Sequence, residues 1–281
     1  MIGTNPIAVV TGASGELGSA MLRCLLAEGY EVVGLDRTLE LAEMIRDQFP
    51  RDDVHAFAAD QIDPDSVASA FDRIVDQVGT PSLVVANAGY AKFGPLLTMP
   101  IKTFRRHIDV NLIGTYTVCQ AGAQKMVSAG VGGSLIVISS NLALFHSDQV
   151  GAYCVSKSAL LPLVRSLAAE LGVYGIRVNT ILPGALETAM TEIMLSQPGV
   201  RDDLLAETPI SRVGTPGDIA NAVAYLASPD SAWITGATIT VDGGQSIYGQ
   251  PRWLRQDRRT PNQPRWEPAL GDRANRTLLE D

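Results

Sequence analysis

Apolar residues along the first 244 positions fall into short unbroken runs, separated by longer stretches in which they recur every three or four residues. The short runs are Ile7–Thr11, Glu31–Asp36, Val54–Ala59, Leu83–Ala86, Ser134–Ile138, Arg177–Leu182 and Ala237–Val241, and their length and β-branched content predict strands. Between the first two, Leu17, Met21, Leu22, Leu25 and Leu26 share one helical face. Comparable patterns predict helices over Leu39–Gln48, Pro64–Val78, Phe104–Ser128 (one long helix or two joined), Gly151–Val173 and Pro216–Ala227. Strands apolar throughout that alternate with helices point to a parallel sheet covered on each side. The expected fold is a single-domain α/β, doubly wound parallel sheet of about seven strands with helices on both faces.

Two segments break the rhythm. Glu187–Thr208 carries methionines and a Gln197-Pro198-Gly199 interruption, which reads as a two-part lid at about 187–208. The domain is expected to span 1–244. Residues 245–281 hold seven arginines, Trp253, Trp266 and four prolines, and seven arginines against five acids give the segment a net +2. Its composition is that of an intersubunit arm or of a disordered tail.

Composition narrows the function classes. Lys and Arg total 22 against 30 Asp and Glu, a net charge of −8, so a nucleic-acid partner is not expected. Cys24, Cys119 and Cys154 cannot all pair and lack metal-ligand spacing, which fits a reducing cytoplasm and no metal. Neither a charged leader nor a membrane-length apolar run stands in the chain, so a protein that neither enters nor crosses a membrane is expected.

Ligands of such sheets bind beyond the carboxyl ends of the strands, and the first of these ends reads Thr11-Gly12-Ala13-Ser14-Gly15-Glu16-Leu17-Gly18. Glycines permit a tight turn and close backbone approach, and the helix that follows attracts a pyrophosphate at its N-terminus. Gly12, Ser14, Gly15, Glu16 and Leu17 are therefore candidate cofactor contacts. Asp36 ends the second strand, where a carboxylate hydrogen-bonds ribose hydroxyls and repels a 2′-phosphate, so NAD is favoured over NADP. Arg37 beside it is the competing signal, since a guanidinium accepts a phosphate.

Tyr153 and Lys157, four apart on a predicted helix, share one helical face. A free phenol has a pKa of about 10, and bringing it near neutrality takes roughly 4 kcal/mol of preferential phenolate stabilisation, which an adjacent ammonium and a cationic cofactor ring would supply. Composition alone yields about 0.1 such pairs in a chain of this make-up, so the pair acquires meaning from its company.

That company is the glycine turn, Asp36, Asp60, Asn87-Ala88-Gly89, Asn111, Ser140, Tyr153, Lys157, Pro183-Gly184 and Thr188, in this order. With these motifs the chain resembles the short-chain dehydrogenase/reductase family over about Pro6–Gln245, which implies a Rossmann-like domain, an NAD(P)-dependent alcohol dehydrogenase or carbonyl reductase, and a homotetramer. The resemblance implies that Asp60 and Gln61 flank the adenine and that Asn87 braces the sheet. It places Ala88, Gly89, Pro183, Gly184 and Leu186 beside the cofactor and gives Thr188 the nicotinamide carboxamide. Tyr153 becomes the general acid/base, Lys157 its helper and a ribose ligand, Ser140 the orienter of the substrate oxygen, and Asn111 the holder of a proton-passing water. Ser139 is the competitor for Ser140; only the family's thirteen-residue spacing to Tyr153 selects between them. By position in the family, Phe93, Asn141, Leu142, Phe145, His146, Val150, Leu186, Met190 and Met194 wall the substrate pocket, a mostly apolar set suited to a secondary alcohol or ketone.

One residue departs from the family pattern. The short branch carries glycine where this chain has Glu16, and the glycines at 12, 15 and 18 are spaced as in the extended, epimerase-like branch. Glu16 is expected to turn to solvent and to lower phosphate affinity modestly. His55 and His107 show no partner pattern. The alternative to an oxidoreductase is an NAD-binding sensor or scaffold, or a lyase, on the same fold.

Overall fold

A computed structural model describes residues 5–247 other than 147, with only the backbone at 190, 193 and 194. The chain divides into two compact units, Met1–Ile247 and Tyr248–Asp281. The second unit, and with it most of the arm expected over 245–281, lies outside the described residues.

Within the first unit, β1 (Ile7–Thr11), β2 (Glu31–Asp36), β3 (Val54–Ala58), β4 (Leu83–Ala86), β5 (Gly133–Ile138), β6 (Ile176–Pro183) and β7 (Thr238–Val241) form one sheet in the order β3-β2-β1-β4-β5-β6-β7. Every pairing is parallel. The period-2 alternation of each strand sends its residues to two separate cores. Ile7 and Val9 join Phe71 and Ile74 of α3 (Pro64–Gln77), Val118 and Met126 of α5 (Thr115–Ser128), and Leu160 and Val164 of α7 (Leu160–Leu171). Ala8 and Val10 face the other way, onto Met21 and Leu22 of α1 (Glu16–Ala27), Ile45 of α2 (Leu39–Gln48), and Ile219 and Val223 of α10 (Pro216–Ala227). This is the double winding that the uninterrupted apolar runs require.

Three helical expectations change. The stretch predicted as Phe104–Ser128 begins earlier, at α4 (Ile101–Ile108), and passes through a π-helical turn at Asp109–Gly114 before α5. Its start is set by Pro100, whose carbonyl accepts the Thr103 and Phe104 amides. Gly151–Val173 splits into α6 (Gly151–Ser158) and α7, with a short 3-10 turn at Gly172–Tyr174. Pro162, two residues into α7, has no N–H to return to the carbonyl of Ser158, so the helical ladder is interrupted there. The segment expected as a lid folds as α8 (Ala189–Leu195) and α9 (Val200–Glu207), parted at Gly199, whose φ is +79°.

The folded unit also runs past 244. The Gln245 side-chain oxygen accepts the Ala185 amide at 2.9 Å, and the Ile247 amide donates to Gly244 at 3.1 Å. Among the described residues no helix is long and apolar enough to cross a membrane, and no group of three His, Cys, Asp or Glu side chains could hold a metal.

The strand order reverses between β1 and β4, and there the two loops diverge and open a cleft. The Thr11 hydroxyl accepts the amides of Asn87 and Ala88, each at 3.0 Å, while the Asn87 side-chain amide donates back to the Thr11 carbonyl at 2.9 Å. Thr11→Val keeps the shape but leaves two strand-end amides without an acceptor. It is expected to lower stability by about 2 kcal/mol, read as a lower urea midpoint with an unchanged slope, whereas Thr11→Ser keeps the acceptor and stays near wild type.

Candidate functional site

The floor of the cleft is the turn after β1. Gly12 holds φ at +64°, and a Cβ there would meet the Ala88 Cα at 2.9 Å, so the turn demands glycine both for its conformation and for the approach of the β4 loop. A Cβ on Gly18 would meet the Ala13 Cα at 2.7 Å, which fixes how closely α1 returns over the turn. The N-cap of α1 is Gly15, which has no side chain to cap the helix. First-turn amides left in this way suit an anion.

Asp36 stands beside this turn. Its Oδ2 accepts from the Ser14 amide at 3.1 Å and the Ser14 hydroxyl at 2.6 Å, and its Oδ1 accepts the Arg37 amide at 2.8 Å. The carboxylate is thus held at the cleft edge by three donors. Arg37 lines the same cleft. Glu16 is exposed as expected, yet its carboxylate does not simply face water: Oε2 accepts the Ala189 amide of α8 at 2.8 Å.

Further along, Asp60 and Gln61 line the cleft after β3. The Asp60 carboxylate accepts the Ile62 amide at 3.2 Å. Gln61 turns inward, its Nε2 donating to the carbonyls of Val110 (2.8 Å) and Ala88 (3.3 Å), while its buried Oε1 has no partner. Room for this side chain comes from Gly114 in the π turn, where a Cβ would meet Gln61 Cγ at 2.6 Å.

Beyond β5, the two serines separate by partner. The Ser139 hydroxyl donates to the Lys157 carbonyl at 2.9 Å, whereas the Ser140 hydroxyl is hydrogen-bonded with Tyr153 and accepts the Leu142 amide at 3.2 Å. Lys157 is buried, with its Nζ donating to the Ile138 carbonyl at 2.8 Å and lying 5.8 Å from the centre of the Tyr153 ring. Gly89 packs against this group: a Cβ there would lie 3.5 Å from Nζ and 3.4 Å from the Asn111 side-chain oxygen. The fully buried Asn111 accepts the Tyr90 amide at 2.7 Å and donates to the Tyr90 carbonyl and the Ser156 hydroxyl, both at 2.9 Å. Ser156 in turn donates to the Tyr153 carbonyl at 2.8 Å. Asn111 therefore ties the π turn to the helix that carries the tyrosine.

Burial works against ionisation of both proton-carrying groups. It pushes the Tyr153 phenol up to about 12, against the smaller downward pull of the Ser140 hydrogen bond. It pulls the Lys157 ammonium down to about 8. In the chain by itself, desolvation of the phenol outweighs the Ser140 hydrogen bond.

Thr11, Gly12, Ser14 to Leu17, Asp36, Arg37, Asp60, Gln61, Asn87 to Gly89, Ser140, Tyr153, Lys157, Pro183, Gly184, Leu186 and Thr188 all border one cleft of about 770 Å³. The expected substrate wall is more scattered. Leu186 borders the cleft, and Phe93 stands edge-on to Tyr153 at 6.3 Å. Asn141 is instead buried, its amide pointing at Asp242 (3.4 Å) and Gln245 (3.3 Å). Leu142 and Val150 are half-buried, and Phe145 and His146 are exposed; the side chains of Met190 and Met194 lie outside the described residues.

Several residues with a part in the site escaped the sequence reading. Tyr90, Ala91, Arg106, Val110 and Thr191 line the cleft. The Thr191 hydroxyl is hydrogen-bonded to the Leu186 carbonyl and stands 3.1 Å from that of Thr188, so it positions the latter, and the three-residue spacing was the available signal. His107 is buried, its Nδ1 donating to the Thr103 carbonyl (2.9 Å) and its Nε2 accepting the Lys92 amide (3.1 Å). No sequence signal announces that brace.

Comparison with known proteins agrees with this geometry. The profile of the family described as "Enoyl-(Acyl carrier protein) reductase" matches residues 12–246. A (3R)-3-hydroxyacyl-CoA dehydrogenase of Rattus norvegicus is 39% identical over 252 residues, covering 85% of this chain and 95% of the relative. An L-rhamnose 1-dehydrogenase (NAD(P)(+)) of Azotobacter vinelandii is 36% identical over 244 residues, with 84% and 94% covered. Among solved structures, a short-chain type dehydrogenase/reductase from Mycobacterium ulcerans superposes with a TM-score of 0.81 at 31% identity, covering 86% of this chain and 90% of that one. A gluconate 5-dehydrogenase from Burkholderia cenocepacia in complex with NADP and tartrate gives 0.82 at 28% identity, with 86% and 95% covered. An uncapped glycine turn, a strand-end acid and a Ser-Tyr-Lys cluster in one cleft, together with these matches, mean that the chain belongs to the short-chain dehydrogenase/reductase family of NAD(P)-linked oxidoreductases acting on CH–OH and C=O groups.

Proposed function

We propose that the protein is an NAD-preferring oxidoreductase that interconverts a secondary alcohol and a ketone, with Tyr153 as the general acid/base. The observation that carries this reading is the meeting of Tyr153, Ser140 and Lys157 at one end of a cleft whose other end is the glycine turn and Asp36. Uncapped first-turn amides and a triply held carboxylate fit the pyrophosphate and ribose of a dinucleotide. These residues would hold a dinucleotide, which would supply the hydride acceptor for the alcohol or the hydride donor for the ketone.

The chain's own residues handle the proton and the oxygen. Ser140 Oγ hydrogen-bonds the substrate oxygen and aims it at the phenol, and Tyr153 Oη removes the hydroxyl proton in oxidation or supplies it in reduction. The buried Lys157 ammonium, held by the Ile138 carbonyl, stabilises the phenolate and reaches the ribose. Asn111 keeps α6 in register through Ser156, and its role beside the proton path is to hold a water that carries the proton to bulk. The exposed edge of Phe93 beside Tyr153 suits a substrate with an apolar portion.

NAD preference follows from Asp36, since a fixed carboxylate meets a 2′-phosphate with charge repulsion. Cys24, Cys119 and Cys154, none of them joined in a disulfide among the described residues, support a cytoplasmic protein. Exposed Ile101 and Tyr116 on α4 and α5 support a homotetramer, in which residues 245–281 would contact a partner subunit; the light-scattering mass in solution decides the assembly.

Mixing the protein with NAD⁺ and a panel of secondary alcohols should give reduced nicotinamide by absorbance. Tyr153→Phe should lower kcat on the order of a thousandfold or more while dinucleotide affinity stays within about twofold; retained turnover would refute the acid/base role. The raised phenol pKa fixes the sign of the pH dependence. The protonated acid dominates at neutral pH, so ketone reduction should be nearly flat from about pH 6 to 8, while alcohol oxidation should climb up to about tenfold per pH unit as the phenolate fraction grows. Lys157→Met should move that climb to higher pH, and an unmoved profile would remove the lysine from the proton step. Asp36→Ala is expected to narrow the ratio of kcat/KM for NAD over NADP by about tenfold or more, and Ser14→Ala to narrow it less; no change in either would transfer the choice to Arg37.

A further inference from the structure

The hydrogen bond from the Ala189 amide to Glu16 joins residues 173 positions apart, and both ends border the cofactor cleft. Among the described residues it is the one hydrogen bond that crosses from the glycine turn to the α8–α9 segment. Ala189 opens α8, so its N–H has no acceptor within the helix, and Glu16 provides that acceptor from the opposite wall.

Other contacts hold the segment at its ends. At its base, the Glu187 amide donates to Gly214 at 2.8 Å and the Gly214 amide to Ala185 at 3.0 Å, with Leu186 bridged to Gly214. Past α8 the chain turns at Gly199, and α9 contributes no buried residue. The Arg201–Glu187 ion pair at 3.2 Å is exposed on both sides, and such pairs contribute little. Leu195 of α8 and Thr208 after α9 are buried, and the Ile210 amide donates to the Gly243 carbonyl at 3.1 Å, so the segment is anchored at both ends. The charge-assisted hydrogen bond from Glu16 adds a hold from the glycine turn, on the side of the cleft that none of those contacts reaches.

We propose that Glu16 is a positioning residue: its carboxylate latches α8 over the cleft and so holds Thr188 and Leu186 against the cofactor and slows cofactor release. This rests on the proposed dinucleotide site, but the latch itself is an intramolecular contact that can be measured without any ligand. The carboxylate serves as an acceptor, so an amide at the same place should serve as well.

The test compares wild type, Glu16→Ala and Glu16→Gln as full-length chains. Hydrogen exchange of the backbone over residues 187–195, in protein without dinucleotide, should accelerate about fivefold in Glu16→Ala, the change expected for one hydrogen bond of ordinary net strength. The dissociation rate of NADH, followed by its fluorescence in stopped flow, should rise by a similar factor. Glu16→Gln should stay within about twofold of wild type in both, and Tm should be unchanged in both variants. Unchanged exchange in Glu16→Ala overturns the latch, and faster exchange with unchanged NADH release overturns its role in cofactor retention. A Glu16→Gln that behaves like Glu16→Ala overturns the acceptor role. If wild type itself fails to bind NADH, the proposed function falls, while the exchange data still decide the latch.

Discussion

Where β1 and β4 part company, two strand ends with unpaired amides have to be satisfied at the same place, and the cleft depends on how this is done. Thr11 accepts both amides of the β4 end, and Asn87 reaches back to the β1 carbonyl. The two loops are thereby pinned at their roots and free to diverge beyond. Because Gly12 and Ala88 are in direct contact, any change in that pin shifts the floor of the site relative to its far wall.

The far wall is built on the same logic of shared strand ends. Ser139 and Lys157 secure each other's surroundings at the end of β5, one through the Lys157 carbonyl and the other through the Ile138 carbonyl. Asn111, placed by a π turn, fastens the tyrosine helix from the other side. Fixing the groups in this way also dries them, and drying raises the phenol and lowers the ammonium. The chain's own groups thus keep the phenol protonated at neutral pH, and positive charge added beside it would favour the phenolate.

Much of this was legible in the chain. Seven apolar runs, the glycine turn and the acid ending β2 are local signals whose cause is local: β-branched content, a positive φ, a strand end. The Tyr153/Lys157 pair needed the resemblance to give it meaning, and Ser140 could be told from Ser139 only by an inherited spacing. What was misjudged depended on contacts between distant segments. Asn141 belonged by position to the substrate wall but turns to Asp242 and Gln245. The helix through Tyr153 and Lys157 breaks ahead of Pro162, and Glu16, exposed as expected, also finds the Ala189 amide.

The sequence by itself determined the layers, the parallel strands and the list of chemical groups at the strand ends, because periodicity and turn chemistry act over a few residues. Tertiary structure decided which serine faces the tyrosine, which way Asn111, Gln61 and Asn141 point, and what Glu16 and Asp36 hold. Each of those outcomes is set by a hydrogen-bond partner far away in the chain, or next door but on the other face of a strand, and such a partner exists only after the sheet has formed.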